Sequence, residues 1–128
     1  MRFSKFEDLQ WIYSEMLDIS IGIDKNLPAN TLADIVYARL DPRQTLKRHY
    51  HTRPGEGYEA FFFFNGANIN VLLKDGEQIE IVRREPFHVT FHDDEIHGII
   101  NNADEPVYFE VLCTPRHRDG EEVLAQQD

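Results

Sequence analysis

The residues of this chain best suited to chemistry are three histidines and a glutamate. His49 and His51 stand two apart, so on a strand both imidazoles point to one face. Glu59 opens a later apolar run and His97 opens another. Together the four could complete a ring of metal ligands. Three imidazoles and one carboxylate suit one divalent transition metal (Fe, Zn, Mn or Ni), and open coordination positions would admit a substrate or dioxygen. Glu56 competes with Glu59 for the carboxylate place. It lies nearer His51 but sits between two glycines at an expected turn tip, whereas a strand would hold Glu59 more firmly.

The neighbours of these residues suggest further roles. Lys47 has the strand parity of His49 and His51, while Tyr50 takes the opposite face. Arg39, Arg43, Lys47, Arg48 and Arg53 crowd into the same segment, a local positive charge that would attract an anionic small molecule. Lys47 or Arg53 could hold its carboxylate, and Tyr50 or Tyr58 could donate a proton. Glu110 could act as a base if it faced inward, but the apolar alternation of Phe109, Val111 and Cys113 places it on the other face. Phe61 and Phe63 share the face of Glu59 and would line an interior, and His92 could add an imidazole at its mouth. Phe62 and Phe64 then face outward and need cover, from a second subunit or from the N-terminal segment. The chain has no G-x-S-x-G elbow and no phosphate-cradling glycine loop.

The scaffold must position these groups within 128 residues, enough for one core. A net charge of −10 opposes binding to nucleic acid. No apolar run reaches the length of a membrane span. The start of the chain turns acidic at once and lacks a signal peptide's apolar core. The single cysteine, Cys113, excludes an intrachain disulfide, and a reducing cytoplasm is expected.

Ser4-Lys5-Phe6-Glu7 matches a capping box, and Phe6, Leu9, Tyr13, Met16 and Leu17 follow at helical spacing, which predicts a short N-terminal helix. A strand is expected over 19–23. From residue 33 the pattern is nearly continuous β, with strands over 33–40, 46–52, 59–64, 69–74, 78–83, 87–91, 98–101 and 107–114. Asn65-Gly66 and Asp75-Gly76 are tight-turn dipeptides. Residues 1–31 are expected to cover a barrel built by 32–114, with 115–128 a polar tail. The fold class expected is all-β, a sandwich or barrel.

At this point the chain resembles a small single-domain cupin. His49-x-His51, Glu59 with six residues before Gly66, and His97 with three residues before Asn101 match parts of that family's two motifs. The first-motif Gly position is held by Arg43, and seven residues separate His51 from Glu59. The Gly, Pro and Gly positions of the second motif are Pro86, His92 and Asp94. The resemblance covers about residues 33–114. It implies a double-stranded β-helix, or jelly-roll barrel, with a metal held by His49, His51, Glu59 and His97. It implies a metal-dependent enzyme of dioxygenase, isomerase or lyase type, here acting on a small anionic molecule. The alternative is a non-catalytic module that binds or senses a small molecule or carbohydrate. A homodimer is expected in either case.

Overall fold

The structure is a computed structural model that describes residues 5–23, 34–52, 57–114 and 121–127. A 3₁₀ turn at Phe6–Asp8 precedes eleven strands: β1 Gln10–Ser14, β2 Ile19–Ile23, β3 Asp34–Leu40, β4 Thr45–His51, β5 Tyr58–Phe63, β6 Ala67–Leu72, β7 Gln78–Arg83, β8 Phe87–His92, β9 His97–Asn101, β10 Val107–Thr114 and β11 Glu122–Leu124. They form two antiparallel sheets. One has six strands in the order β1-β2-β3-β10-β5-β8, the other five in the order β11-β4-β9-β6-β7. Among the described residues no helix is long and apolar enough to cross a membrane.

The expected N-terminal helix is a strand. Gln10-Trp11-Ile12-Tyr13 is rich in aromatic and branched residues that fit a pleated surface. β2 follows close behind, and every residue of β1 pairs with it. The tight reversal has Asp18 in the left-handed region at φ 56, with its N–H donating to Ser14 O at 2.8 Å. Trp11 lies over Gly22, where an added Cβ would come within 3.0 Å of the indole. The indole also meets Tyr108 edge-on, with ring centroids 6.3 Å apart. Tertiary pairing thus overrides the helical spacing. Ser4 of the expected cap lies outside the described residues.

Two connections also differ from the expected hairpins. β4 and β5 do not pair. β5 lies between β10 and β8 in the six-stranded sheet, and β4 between β11 and β9 in the other. The Asn65-Gly66 turn likewise passes from one sheet to the other. Gly66 takes φ 72, and a Cβ there would fall 2.2 Å from Arg83 O, so only glycine fits. Asp75-Gly76 does close the β6–β7 hairpin, with φ of 59 and 76. The polar tail forms β11, which pairs Glu122 with His51 and Leu124 with His49. Beyond it, Gln127 and Ala125 bond to the backbone of Arg48.

The core fills the space between the sheets in rows. Val36, Val111, Phe61 and Val89 lie in register across four strands of the larger sheet. Ala38 and Phe109 form part of the next row. Opposite stand Leu46, Ile99 and Val71, in register across the smaller sheet. Asn101 is fully buried and closes one end. Its side-chain amide donates to Leu40 O, Asp41 O and Glu105 O at 3.1, 3.2 and 2.8 Å, and its oxygen accepts from Ala103 N–H at 3.0 Å. The expected Asn of the His-x3-Asn pair is therefore a loop staple. Arg43, at the motif's Gly position, adopts the left-handed backbone at φ 66 that a glycine would take without cost.

One irregularity sets the site. Leu46 pairs with Ile99 but His49 pairs with His97, so β4 carries an extra residue in a β-bulge. The bulge lets Leu46 and both His49 and His51 face the interior despite their different parity. Gly98 lies against it. A Cβ at Gly98 would stand 2.6 Å from Leu46 O and 3.1 Å from Arg48 N, both backbone atoms. Gly98→Ala is therefore expected to cost about 1–3 kcal/mol by forced backbone displacement. Denaturant titration checks this, and a variant as stable as the parent would contradict the tight contact.

Candidate metal centre

His49 and His51 on β4 and His97 on β9 project from the smaller sheet. Glu59 on β5 projects from the larger one, in register with Cys113 and Phe91. The four ligand-type atoms lie within 4.8 Å of one another, and all four residues are buried. The convergence is therefore across the sandwich and not between hairpin neighbours, as the sequence spacing suggested. Glu56 lies outside the described residues. Two ligands each about 2.1 Å from one ion stand at most about 4.2 Å apart, so the cluster needs to contract by only about half an ångström to hold it.

The two outer histidines are oriented in the same way. His49 Nδ1 lies 2.7 Å from Lys47 O, and His97 Nδ1 lies 2.9 Å from Glu95 O. A carbonyl only accepts, so each Nδ1 carries the proton and each Nε2 is left with a lone pair. For His97 that Nε2 is buried and finds no hydrogen-bond partner among the described residues. A buried lone pair without a donor is costly, and a metal ion would satisfy it. His51 Nε2 touches Glu59 Oε1. Phe91 stacks on His97 with centroids 4.5 Å apart and Phe61 meets it edge-on at 5.8 Å, which fixes the ring.

The electrostatics favour the deprotonated ligand set. Burial, aided by the neighbouring His49, pushes His97 down to about 3. Burial also lowers His49. Burial alone would raise Glu59, but the contact with His51 and the field of the histidines overcome it and bring the carboxyl to about 2. Near neutral pH His49 and His97 are thus neutral imidazoles and Glu59 is a carboxylate, the forms that bind a metal.

A cavity of about 380 Å³ opens beside the cluster. Its walls include Leu17, Ile19, Ile21 and Ile23 around β2, Val36 and Ala38 of β3, and Phe109, Val111 and Cys113 of β10. His49, His51, Glu59, Phe61 and Glu122 line it as well. The β2 wall was missed because 19–23 looked like a cover strand. Glu122 was missed because a three-residue strand has no readable period.

Most other candidate residues lie elsewhere. Tyr50 alternates with His49 and His51 and so faces away from the interior. Tyr58 is 40% exposed on the outer face of its sheet. Glu110 also faces outward, between Tyr37 and Phe62, where partial burial raises its carboxyl. Phe63 is fully buried but packs on Phe87 and Phe109, outside the cavity lining. His92 is exposed at the end of β8. Lys47 is displaced by the bulge and does not line the cavity. Arg53 lies outside the described residues.

The expected positive patch disperses in the same way. Arg39 pairs with Asp41 at 3.3 Å and Arg43 with Asp104 at 2.7 Å. Arg48 is buried on the outer side of β4, where its Nε donates to Leu73 O at 3.0 Å and a terminal nitrogen bonds Gln127 O.

The titration of the cluster has a defined sign. His97 falls from 6.5 to about 3 on folding, so between those values the unfolded chain binds protons that the folded chain refuses. Its contribution to stability is complete above 6.5 and is lost as the pH falls toward 3. Glu59, lowered from 4.5 to about 2, adds a loss of the same sign at lower pH. Metal-free protein is expected to melt at steadily lower temperature from about pH 7 to about pH 4. Replacing His97 by Phe should flatten that slope. A melting temperature independent of pH in the parent would contradict the buried neutral imidazoles.

No family model and no curated relative matches the chain. Solved structures do. An uncharacterised protein with a double-stranded β-helix domain from Klebsiella pneumoniae is 13% identical at TM-score 0.65, covering 98% of this chain and 98% of its own. A sugar phosphate isomerase from a cupin superfamily, from Silicibacter pomeroyi, is 18% identical at TM-score 0.67, covering 99% of this chain and 83% of its own. The polyketide cyclase RemF from Streptomyces resistomycificus is 16% identical at TM-score 0.69, covering 100% of this chain and 89% of its own. At these identities the likeness carries the fold alone, and on that ground the chain has the fold of a small cupin-type double-stranded β-helix domain.

Proposed function

We propose that this protein is a metal-dependent enzyme acting on a small molecule, with one divalent transition metal held by His49, His51, Glu59 and His97. The observation that carries the proposal is the buried convergence of these four groups from both sheets, within 4.8 Å. The isomerase and the cyclase among the structural neighbours support an enzymatic role. Bound there, an Fe, Zn, Mn or Ni ion would polarise a substrate oxygen, and a redox-active one such as Fe would also activate dioxygen.

The chain's own residues do the rest. Lys47 O and Glu95 O hold the imidazole protons at Nδ1 and so aim both Nε2 atoms inward. The apolar walls offer water few hydrogen-bond partners beside the reacting end. Among the described lining residues, only Glu122 and Cys113 add a titratable group to the ligand set. Isomerase or lyase chemistry would therefore use Glu122 to move a proton, while dioxygenase chemistry would need neither. The scarcity of acid and base groups is also what favours the second reading, a module that binds or senses a small molecule without turning it over.

A homodimer in the cytoplasm belongs to the same proposal. Support for the dimer is the outer face of the larger sheet, where Ile35 and Tyr108 are 47% and 46% exposed, with Phe64 in the turn just after β5 58% exposed. Apolar faces of this kind mark contact surfaces. Sedimentation velocity should give a dimer that Phe64→Glu converts to monomer. A monomeric parent would contradict it.

Elemental analysis of purified protein tests the metal. We expect near-stoichiometric metal in the parent and less than a tenth of that in His97→Ala and Glu59→Gln. A chelator should lower the melting temperature, because an ion at 100 times its dissociation constant stabilises the folded state by about 2.7 kcal/mol. Metal-free parent protein that gains no stability from added Fe, Zn, Mn or Ni would sink the proposal. With metal present, oxygen uptake would separate dioxygenase from isomerase or lyase chemistry.

A further inference from the structure

We infer that the cavity takes a molecule with a hydrocarbon body, chain or ring, laid along the inner face of β2, β3 and β10 behind a polar end that meets the metal ligands. The inference deepens the metal proposal and rests on it for the polar end alone.

Strand register lays this face out in rows. Glu59 stands in register with Cys113 on one side and Phe91 on the other, and that row is the polar end. Two residues along the strands, Phe61, Val111 and Val36 form the second row. Two further along, Phe109, Ala38 and Ile21 form part of the third. All six of these side chains line the cavity. At about 3.4 Å per residue, the third row stands about 14 Å from the Glu59 row. The floor thus runs from a metal ligand onto hydrocarbon in one direction.

Those six side chains hold no hydrogen-bond donor or acceptor. A sugar laid on them would surrender water from each hydroxyl that faces the floor and gain nothing there in return, whereas a hydrocarbon body gains by leaving water. The rows act on the body in this way whatever the charge of the polar end. Leu46 from the smaller sheet and Leu17 from the β1–β2 reversal also line the cavity. Lys47 N–H donates to Leu17 O at 3.1 Å, which fixes that reversal against the bulged strand. At about 30 Å³ per water in the liquid, 380 Å³ matches the volume of about a dozen waters. A body of only a few carbons would leave much of that space empty and forfeit the contacts of its walls. Affinity should therefore climb as the body lengthens.

The test titrates two homologous series, butanoate to octanoate and butanol to octanol, into zinc-loaded protein by calorimetry, with zinc content measured on each sample. A fully buried methylene strengthens binding about fourfold, and we expect at least twofold per methylene in both series. Ile21→Trp, which fills the third row, should weaken the octyl probes at least tenfold and leave the butyl probes unchanged, at unchanged zinc content. Val36→Thr, which keeps the side-chain volume, guards against a misfolded tryptophan variant and should weaken the octyl probes about threefold. Affinity that does not rise with length, octyl probes that do not bind, or octyl binding that both variants leave intact would overturn the inference, while stoichiometric zinc kept the metal proposal standing. A rise with length in protein that takes up no zinc, lost in Ile21→Trp, would support the inference and refute the metal proposal.

Discussion

Three imidazoles and a carboxylate are buried together between two sheets, and the rest of the architecture answers to that constraint. Groups of this kind lose their hydration when the sheets close and must find partners inside. Two of the imidazoles each place one nitrogen on a backbone carbonyl, which leaves the other nitrogen facing the cluster. Glu59 reaches them from the opposite sheet, so the site also ties the layers together. A metal ion is the partner that fits all four at once.

Strand irregularities make this convergence possible. A regular β4 would place Leu46 and His49 on opposite faces. The bulge between them turns both inward, and Gly98 on β9 leaves the space the bulge needs. On the other side of β4, the short strand β11 and Gln127 cover the edge and bury Arg48. The strand that carries two candidate ligands is thus clamped on both flanks, which holds a site to the tolerance that coordination requires. The cavity beside it combines that rigid polar end with walls that are largely apolar.

Much of this was legible in the residues. The His-x-His pair, the strand-borne Glu59 and His97 do come together, though across the two sheets and not along a β4–β5 hairpin, and the alternation of Phe109, Val111 and Cys113 correctly turned Glu110 outward. The misses share a cause. Helical spacing at Phe6, Leu9 and Tyr13 is a local signal, and pairing with β2 outweighed it. The β4–β5 connection looked like a hairpin because the sequence cannot say which sheet a strand joins. The bulge was signalled only by Gly98 within a strand pattern, and β11 was too short to show alternation. Of the substrate-binding assignments, Phe61 lines the cavity, Lys47, Phe63 and His92 do not, and Arg53 lies outside the described residues; for Lys47 the cause is the bulge in β4, which reverses parity.

The central claim is that His49, His51, Glu59 and His97 bind one metal ion. X-ray absorption spectroscopy of the zinc-loaded protein tests it most directly. The account predicts a first shell of nitrogen and oxygen at about 2.0–2.2 Å with the multiple-scattering pattern of three imidazoles. A first shell with sulfur from Cys113, or with one imidazole or none, would contradict it.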